Sequence, residues 1–423
     1  MSQMSDQRSL WPVVVAIGLA AAMLLFGYEF IRASSTSLYI AAYGSDRLPY
    51  AMLAGTVLTL GALYVYGWVL SLLGPRRTLA VVSLLSGLLI LAGYLALGAG
   101  SRAAALFVYA LREAYVVLLV EQYWSFINST FKDAQARRFN GVICGIASIG
   151  AISGGYATRA LTSPAGPLYI GTEGLLILAA ASLAPAALFA EAAYRLAARA
   201  GTRPPEAAAH RSLLALGLFR ESAHLRRLAL VVVLTQAVST ALDLGFFSLV
   251  EAALPVKDAR TAYIGAFYGR LNMVAAALQF VAAPVLLSRL PLRLVLTAIP
   301  VVHLAASGAL LVRPSLGTAG AAFLLFKALD YSLFRAGKET FYIPLSFDVR
   351  YRAKEVIDAL GYRASKGLCA ALASAARGLA GALPLAVYPL SAMAAAAAWL
   401  VATKHLVRRH EEILAPPPAD RLG

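Results

Sequence analysis

The stretch Phe326–Leu345 reads FKALDYSLFRAGKETFYIPL and combines the apolar character of a membrane helix with several charged side chains. It follows the apolar residues GAAFLL without a break. A charge at the centre of a bilayer costs at least about 2.5–3.5 kcal/mol on insertion scales, so a helix with this sequence is expected to face protein or water rather than lipid. The charged residues are Lys327, Asp330, Arg335, Lys338 and Glu339.

The composition of the whole chain is that of an integral membrane protein. Of its 423 residues, 60% are hydrophobic and only 14% are charged, and the mean hydropathy is +0.72. Soluble domains carry about 25% charged residues. The two cysteines, Cys144 and Cys369, lie in apolar segments and give no disulfide framework. Because the histidines do not cluster in the sequence, we expect neither a metal site nor a cofactor.

Apolar runs that could cross a bilayer recur along the chain. A span needs about 20 apolar residues, and twelve such runs are recognisable. The first begins at Trp11 and is longer than the apolar region of a signal peptide, so we expect it to be retained as a helix. The predicted spans are about 11–33, 48–71, 77–98, 103–128, 139–163, 168–196, 228–251, 261–287, 293–312, 317–346, 355–382 and 384–405.

The basic residues are distributed unevenly among the loops. The termini and every second loop hold most of them, including Arg76 and Arg77, whereas the loops between hold far fewer. Since cytoplasmic loops carry the basic excess, both termini are predicted in the cytoplasm, and the chain is predicted to be a multi-pass protein of the inner membrane. The same bias accounts for the net charge of +16, so no nucleic-acid partner is expected.

The longest loop lies near the middle of the chain. It contains RPPEAAAH, a linker pattern, and then RSLLALGLF, which predicts a short interfacial helix or, alternatively, a calmodulin-type target. The tail LAPPPADRLG is expected to be disordered. The predicted domains are a six-helix half at 1–196, a cytoplasmic linker at 197–227, a second six-helix half at 228–405 and a cytoplasmic tail at 406–423.

The two halves resemble each other at one corresponding place. The segment Glu121–Gly141 aligns with Glu339–Ala359, so that the fourth span of each half ends in a similar way. A six-plus-six parallel repeat is typical of major facilitator transporters. We therefore predict an all-α membrane protein with twelve transmembrane helices in a major-facilitator arrangement of two pseudo-symmetric halves.

One face of the tenth span gathers polar and aromatic side chains. At about 100° per residue, these residues form a stripe, and Arg335 and Glu339 flank it four positions apart, close enough to pair. Cations exceed acids by three to two in this span, so a cavity lined by this face would suit an anionic substrate. Alternatively, the charges form a structural ion-pair network. The stripe consists of Lys327, Asp330, Tyr331, Phe334, Lys338 and Tyr342.

Further charged residues lie in the fourth and eleventh spans. Glu113 and Glu121 are each a candidate proton site or a candidate ion-pair partner, and Arg112 precedes the first of them. In the fifth span, the glycines of GVICGIASIGAISGG indicate close helix packing. A phosphate-binding loop is not expected there, because no Gly-Lys-Ser/Thr follows. The eleventh span adds Asp358, Arg363 and Lys366.

Three segments resemble the ATP/ADP translocase family of nucleotide transporters. The strongest is YSLFRAGKETFYIPLSFDVRYRAKEVIDALGYRASKG at Tyr331–Gly367, and the others are Tyr28–Ile40 and the run from Trp124 to Gly155. The resemblance implies a twelve-helix transporter that exchanges ATP for ADP or imports nucleotides. The family also carries a lysine shortly after the arginine of its first helix, whereas Ala33, Ser34, Ser35 and Thr36 follow Arg32 here.

The combined prediction is a secondary active transporter of a small anionic solute, with nucleotides as the first candidate, and it is expected to be a monomer in the lipid bilayer rather than an enzyme. The alternatives are a proton-coupled transporter of another solute and a non-transporting membrane partner protein. The candidate substrate-binding residues are Arg32, Lys327, Lys338, Arg363 and Lys366. The candidate ion-pair or proton-coupling residues are Arg112, Glu113, Glu121, Asp330, Arg335, Glu339 and Asp358.

Overall fold

The computed structural model of the chain describes residues 2–201, 219–220, 222–345, 349, 353, 356–357 and 361–414. For residues 2–9, 133, 134 and 137 it describes the backbone only. Over these residues the regular structure is entirely helical. The predicted interfacial helix and the predicted disordered tail lie almost entirely outside the described residues.

Most consecutive helices follow one another through short connections, except between α5 and α6 and between α11 and α12, where the intervening segments lie largely outside the described residues. A single 3₁₀ turn, Ser45–Arg47, joins the first two, and a π-helical segment, Leu278–Ala282, joins α7 to α8. A second π-helical segment, Asp330–Phe334, joins α10 to α11. The α-helices are α1 (Ser2–Tyr43), α2 (Leu48–Gly98), α3 (Arg102–Thr130), α4 (Asp133–Thr162), α5 (Gly171–Arg199), α6 (Ala223–Ala253), α7 (Lys257–Ala277), α8 (Ala283–Arg289), α9 (Leu292–Val312), α10 (Leu316–Leu329), α11 (Arg335–Thr340), α12 (Tyr362–Ala380) and α13 (Val387–Leu414).

The long helix α2 changes direction at Gly74. The backbone of Gly74 has φ 72° and ψ 165°, a conformation that only glycine adopts readily, and Pro75 follows it. Proline has no backbone N–H and cannot continue the hydrogen-bonding pattern of the preceding turn. The sequence GPRRT therefore separates two arms, residues 48–73 and 75–98, where two spans are predicted.

The helices have the length and composition of membrane spans. In the described part of the chain, nine helical stretches are long and apolar enough to cross a bilayer, and one of them, Ser45–Gly98, contains both arms of α2. The tenth and eleventh predicted spans correspond to α10–α11 and α12, whose charged residues lower their hydropathy. The twelve-span prediction is thus consistent with the structure. Large apolar side chains such as Tyr64 and Trp68 are exposed, as expected for a surface that faces lipid.

The chain divides into two compact units. The first consists of Met1–Arg211 and Val250–Ala276, and the second of Ser212–Leu249 and Ala277–Gly423. The end of α6 and all but the last residue of α7 are therefore packed with the first half of the sequence. The domain boundaries predicted from the sequence stay a prediction.

In the first unit, α1 packs against α3, α4 and α5. Its buried face carries Ile17, Leu24, Phe30 and Ile31. In the second unit, α9 packs against α10 and α13, and the core contains large rings such as that of Trp399.

Of Gly141, Gly145, Gly150 and Gly154, the glycines for which close packing is predicted in the fifth span, two explain how closely α4 approaches α1. A Cβ atom at Gly150 would lie 2.1 Å from the carbonyl oxygen of Ala22, and one at Gly154 would lie 2.5 Å from that of Phe26. A Cβ at Gly141 or Gly145, in contrast, would meet no described atom within 4 Å. The packing interpretation therefore holds for the second pair of glycines and not for the first.

Gly154→Ala should destabilise the protein, because the added methyl group cannot fit against the α1 backbone. Overpacking of this kind costs typically about 1–3 kcal/mol. Gly145→Ala is the matched control on the same helix, where we expect no loss. The melting temperature of each purified variant in detergent measures the difference, and equal melting temperatures for the two variants would contradict the close contact between α1 and α4.

Candidate functional site

The first unit contains a buried cluster of charges in the C-terminal third of α1, centred on Arg112 of α3. The Arg112 side chain is only 7% exposed. Its Nη1 donates to the backbone oxygen of Arg32 at 2.8 Å, to Ser35 Oγ at 3.1 Å and to Thr36 Oγ1 at 2.5 Å. Its Nη2 lies 3.2 Å from Oε1 of Glu113. Arg112 thus ties α3 to the polar segment of α1.

The cation of Arg32 is held between aromatic rings and a carboxylate. Its Cζ lies 3.4 Å from the ring centroid of Tyr268 on α7 and 5.7 Å from that of Tyr28. Its Nη1 lies 3.3 Å from Oε1 of Glu29, one turn earlier on α1. Stacking on an aromatic face together with a carboxylate contact is a common environment for a buried guanidinium.

Glu29 is a buried acid that the sequence analysis did not single out. It is 2% exposed, and its Oε1 accepts a hydrogen bond from Nδ2 of Asn272 on α7 at 2.9 Å. Its Oε2 is buried and has no hydrogen-bond partner among the described residues. The signal was present in the sequence as a glutamate inside the apolar start of YEFIRASS, three residues before Arg32. A membrane-embedded acid of this kind is a functional candidate by default.

The polar run of α1 replaces the lysine that the family resemblance implies. Ser34, Ser35, Thr36 and Ser37 are all buried, and two of their hydroxyl groups accept hydrogen bonds from Arg112. Beside Arg32, the second positive charge near this point of α1 therefore comes from Arg112 of α3 rather than from a further residue of α1.

The second unit contains the charged residues of the tenth span. Asp330, at the start of the π-helical segment, is 4% exposed, and Lys338 is 3% exposed. Nζ of Lys327 donates to Ser239 Oγ at 2.8 Å, and Nζ of Lys338 lies 4.9 Å from the ring centroid of Tyr362. Single-turn π-helical insertions within α-helices often mark functional sites.

The predicted stripe of the tenth span corresponds to its least exposed face. Asp330, Phe334, Lys338 and Tyr342 are buried, and Lys327 and Tyr331 are partly buried. The flanking Arg335 and Glu339 are exposed. Arg335 also lies over the ring of Tyr331, with its Cζ 5.5 Å from the centroid.

The other predicted residues fall into different environments. Glu113 contacts its neighbour Arg112, whereas Glu121, about two turns further along α3, is exposed. Arg363 and Lys366 lie on α12 and are partly buried. Asp358 lies outside the described residues. In the described part of the chain, no three His, Cys, Asp or Glu side chains come together as a metal site.

The chain has no detectable match among protein-family models or curated proteins. Solved structures, however, match it over nearly its whole length. The nucleoside transporter NupG has a TM-score of 0.67 at 11% identity and covers 94% of this chain and 98% of its own. A D-xylose-proton symporter has a TM-score of 0.64 at 13% identity, covering 91% and 96%. A variant of the peptide transporter POT has a TM-score of 0.63 at 16% identity, covering 95% and 94%.

These similarities define the fold. The chain is a multi-pass, all-α integral membrane protein with the major-facilitator fold, as predicted from its twelve spans and internal repeat. At these identities the similarity concerns architecture and not substrate. The resemblance to the ATP/ADP translocase family is not confirmed by the comparisons.

Proposed function

We propose that the protein is a secondary active transporter of a small anionic solute. The observation that carries this proposal is the burial of ionisable side chains, Asp330 and Lys338 above all, inside spanning helices of a major-facilitator fold. Buried charges in a membrane are costly, and those retained usually mark substrate or ion pathways. In this fold, transport proceeds by alternating access around a site near the middle of the membrane.

The charge balance supports an anion as the substrate. The candidate residues of the tenth and eleventh spans comprise five cations, Lys327, Arg335, Lys338, Arg363 and Lys366, against three acids, Asp330, Glu339 and Asp358. We propose that Lys327, Lys338, Arg363 and Lys366, all in the second unit, bind the anion. Arg32, in the first unit, stays a candidate ligand from the sequence. Asp330 and Glu339 would neutralise part of this charge when the substrate is absent.

Nucleotides are the first candidate substrate. The resemblance of Tyr331–Gly367 to ATP/ADP translocases supports this choice, and the similarity of the fold to a structure described as a nucleoside transporter is compatible with it. Phosphate groups are well matched to lysine and arginine, through charge and through hydrogen bonds. We propose a monomer without a cofactor and without enzymatic activity.

The proposal is tested by transport into proteoliposomes. Purified protein is reconstituted and offered radiolabelled ATP, ADP, inorganic phosphate and adenosine, with protein-free liposomes as the control. We expect protein-dependent uptake of at least one anion and none of the uncharged nucleoside. A thermal-shift series with the same compounds provides an independent measure, because a ligand at 100 times its Kd stabilises the folded state by about 2.7 kcal/mol. Uptake of adenosine alone would reject the anionic substrate.

We also propose that the protein lies in the inner membrane with both termini in the cytoplasm. In a variant in which Cys144 and Cys369 are replaced by alanine, a single cysteine at Ser101, between α2 and α3, should react with a membrane-impermeant thiol reagent in spheroplasts. A single cysteine at Ser212, in the basic central loop, should react only after lysis, because basic loops stay in the cytoplasm. The reverse labelling pattern would invert the topology.

A further inference from the structure

We propose that Glu29 is the proton-carrying residue of this transporter, and that its protonation loosens the connection between α1 and α7 while it increases the positive charge of the neighbouring cluster. The inference rests on the proposed transport function and names the ion that drives it. It differs from the sequence-based candidates, since Glu113 is engaged by the adjacent Arg112 and Glu121 is exposed.

The hydrogen bonding of Glu29 suits a group that changes its protonation state. Two side chains contact its Oε1, namely Arg32 through Nη1 at 3.3 Å and Asn272 through Nδ2 at 2.9 Å. The buried Oε2 has no partner among the described residues. When the acid is neutral, Oε1 can remain a carbonyl acceptor for the same two groups, and Oε2 is the oxygen left to carry the proton. The same neighbours therefore accommodate both states.

A purely structural ion pair would be built differently. Arginine and carboxylate form their strongest pairs through two parallel hydrogen bonds, with N···O distances of about 2.7–2.9 Å. The contact of Arg32 with Glu29 is a single one at 3.3 Å, and the guanidinium is stacked on Tyr268. Arg32 therefore keeps a favourable contact when the charge of Glu29 is lost, which lowers the cost of protonation.

The groups that act on Glu29 come from three helices. On α1 they are Arg32 and Tyr28, and on α7 they are Asn272 and the ring of Tyr268 that holds Arg32. From α3, Arg112 and Tyr115 act on it electrostatically, and Glu113 belongs to the same cluster. The charged members, Glu29, Arg32, Arg112 and Glu113, sum to zero when all are ionised. Protonation of Glu29 leaves a net charge of plus one.

This change of charge sets the direction of coupling. A cluster with a net positive charge attracts an anion better than a neutral cluster does. Proton binding and anion binding therefore favour each other, and by linkage the reverse holds with the same factor. We infer symport of a proton with the anion rather than exchange of one against the other.

The second consequence concerns α7, which Glu29 connects to α1 through Asn272. In the first turn of α7, Asp258 accepts hydrogen bonds from the backbone N–H of Thr172 at 3.1 Å and from its hydroxyl at 2.5 Å. Lys257 forms an ion pair with Glu173 there. A hydrogen bond to a charged carboxylate is about twice as strong as one between neutral groups. Protonation thus weakens the Asn272 contact between α1 and α7, while the stacking of Arg32 on Tyr268 and the contacts of Asp258 and Lys257 remain.

Infrared difference spectroscopy on the purified protein in lipid nanodiscs tests the proposal without any substrate. Spectra at about pH 5 and pH 8, the range of physiological switches, should differ by the carbonyl-stretch band of a buried protonated acid. Glu29→Gln should abolish this band, and Glu29→Asp should retain it at a shifted frequency. Glu121→Gln is the matched control and should leave the band intact, because the side chain of Glu121 is exposed and the band reports a buried acid. A missing band in the wild type, or one that persists in Glu29→Gln, would reject Glu29 as the proton carrier.

A second variant keeps the proposal testable should Glu29→Gln fail to fold. Asn272→Leu removes the amide that stabilises the charged form, and it should move the pH midpoint of the same band upward by a measurable amount. An unchanged midpoint would contradict the role of Asn272. Neither experiment needs a transported compound. If the infrared band is absent while anion uptake is intact, only the role of Glu29 as proton carrier is rejected. A normal band without anion uptake rejects the proposed substrate class.

Discussion

Arg112→Ala should cost the protein a large part of its stability, with a loss of about 3 kcal/mol or more. Arg112 donates hydrogen bonds to three oxygen atoms of α1 and contacts the carboxylate of Glu113. Breaking a buried pair by removing one partner typically costs about 3–5 kcal/mol. Because the side chain of Glu113 is 23% exposed, solvent compensates part of its lost partner, and we expect a value at the lower end of that range.

The measurement is the melting temperature and the yield of monodisperse protein in detergent. Arg112→Lys should fall between the wild type and alanine, because lysine keeps the charge but lacks the planar array of donors that reaches both α1 and Glu113. Arg102→Ala is the control on the same helix, where the side chain is exposed and should contribute less than about 1 kcal/mol. Lost transport with an unchanged melting temperature would assign Arg112 to substrate binding instead.

The sequence predicts the spans well because each depends on local composition. The break at Gly74 is an example, since GP within an apolar run requires a change of direction whatever the rest of the fold does. The polar stripe of the tenth span was also predictable from a helical repeat, and Lys338 is indeed buried. The repeat could not predict the π-helical segment Asp330–Phe334, which inserts into the helix between the first and last members of the stripe.

The functional pairing of Glu29 could not be predicted from local patterns. Its partner Asn272 lies 243 residues further along the chain, and a helical periodicity contains no information about which distant helix a residue faces. The same limit applies to Arg112, whose acceptors on α1 lie 76–80 residues away. Sequence reasoning recognised Arg32 and Arg112 as charges in a membrane, but the structure shows that the first is stacked on α7 and that the second is tied to α1.

Lys338→Gln should abolish anion uptake while the protein remains folded. Lys338 is 3% exposed and lies on the buried face of the tenth span, with its ammonium 4.9 Å from the ring of Tyr362. An ammonium that binds substrate contributes a charge-assisted hydrogen bond worth about 1.5–3 kcal/mol. Its loss corresponds to about one to two powers of ten in affinity. Glutamine keeps a similar length and a donor, so packing around Tyr362 should survive.

The alternative for Lys338 is a structural role, and the two roles predict opposite results. If the lysine only neutralises buried carboxylates such as Asp330, its removal leaves an uncompensated charge at a cost of about 3–5 kcal/mol, and the protein should be lost from the membrane. Asp330→Asn in the same background separates the cases. In a structural network, the double variant should recover folded protein, because both charges are gone, whereas a binding lysine leaves the double variant folded and still inactive.

Arg335→Gln serves as the control on the same helix, because its side chain is exposed and its removal should leave the amount of folded protein unchanged. Immunoblotting of membranes beside proteoliposome uptake distinguishes the two roles, and a fall in protein level that matches the fall in uptake would reject Lys338 as a substrate ligand.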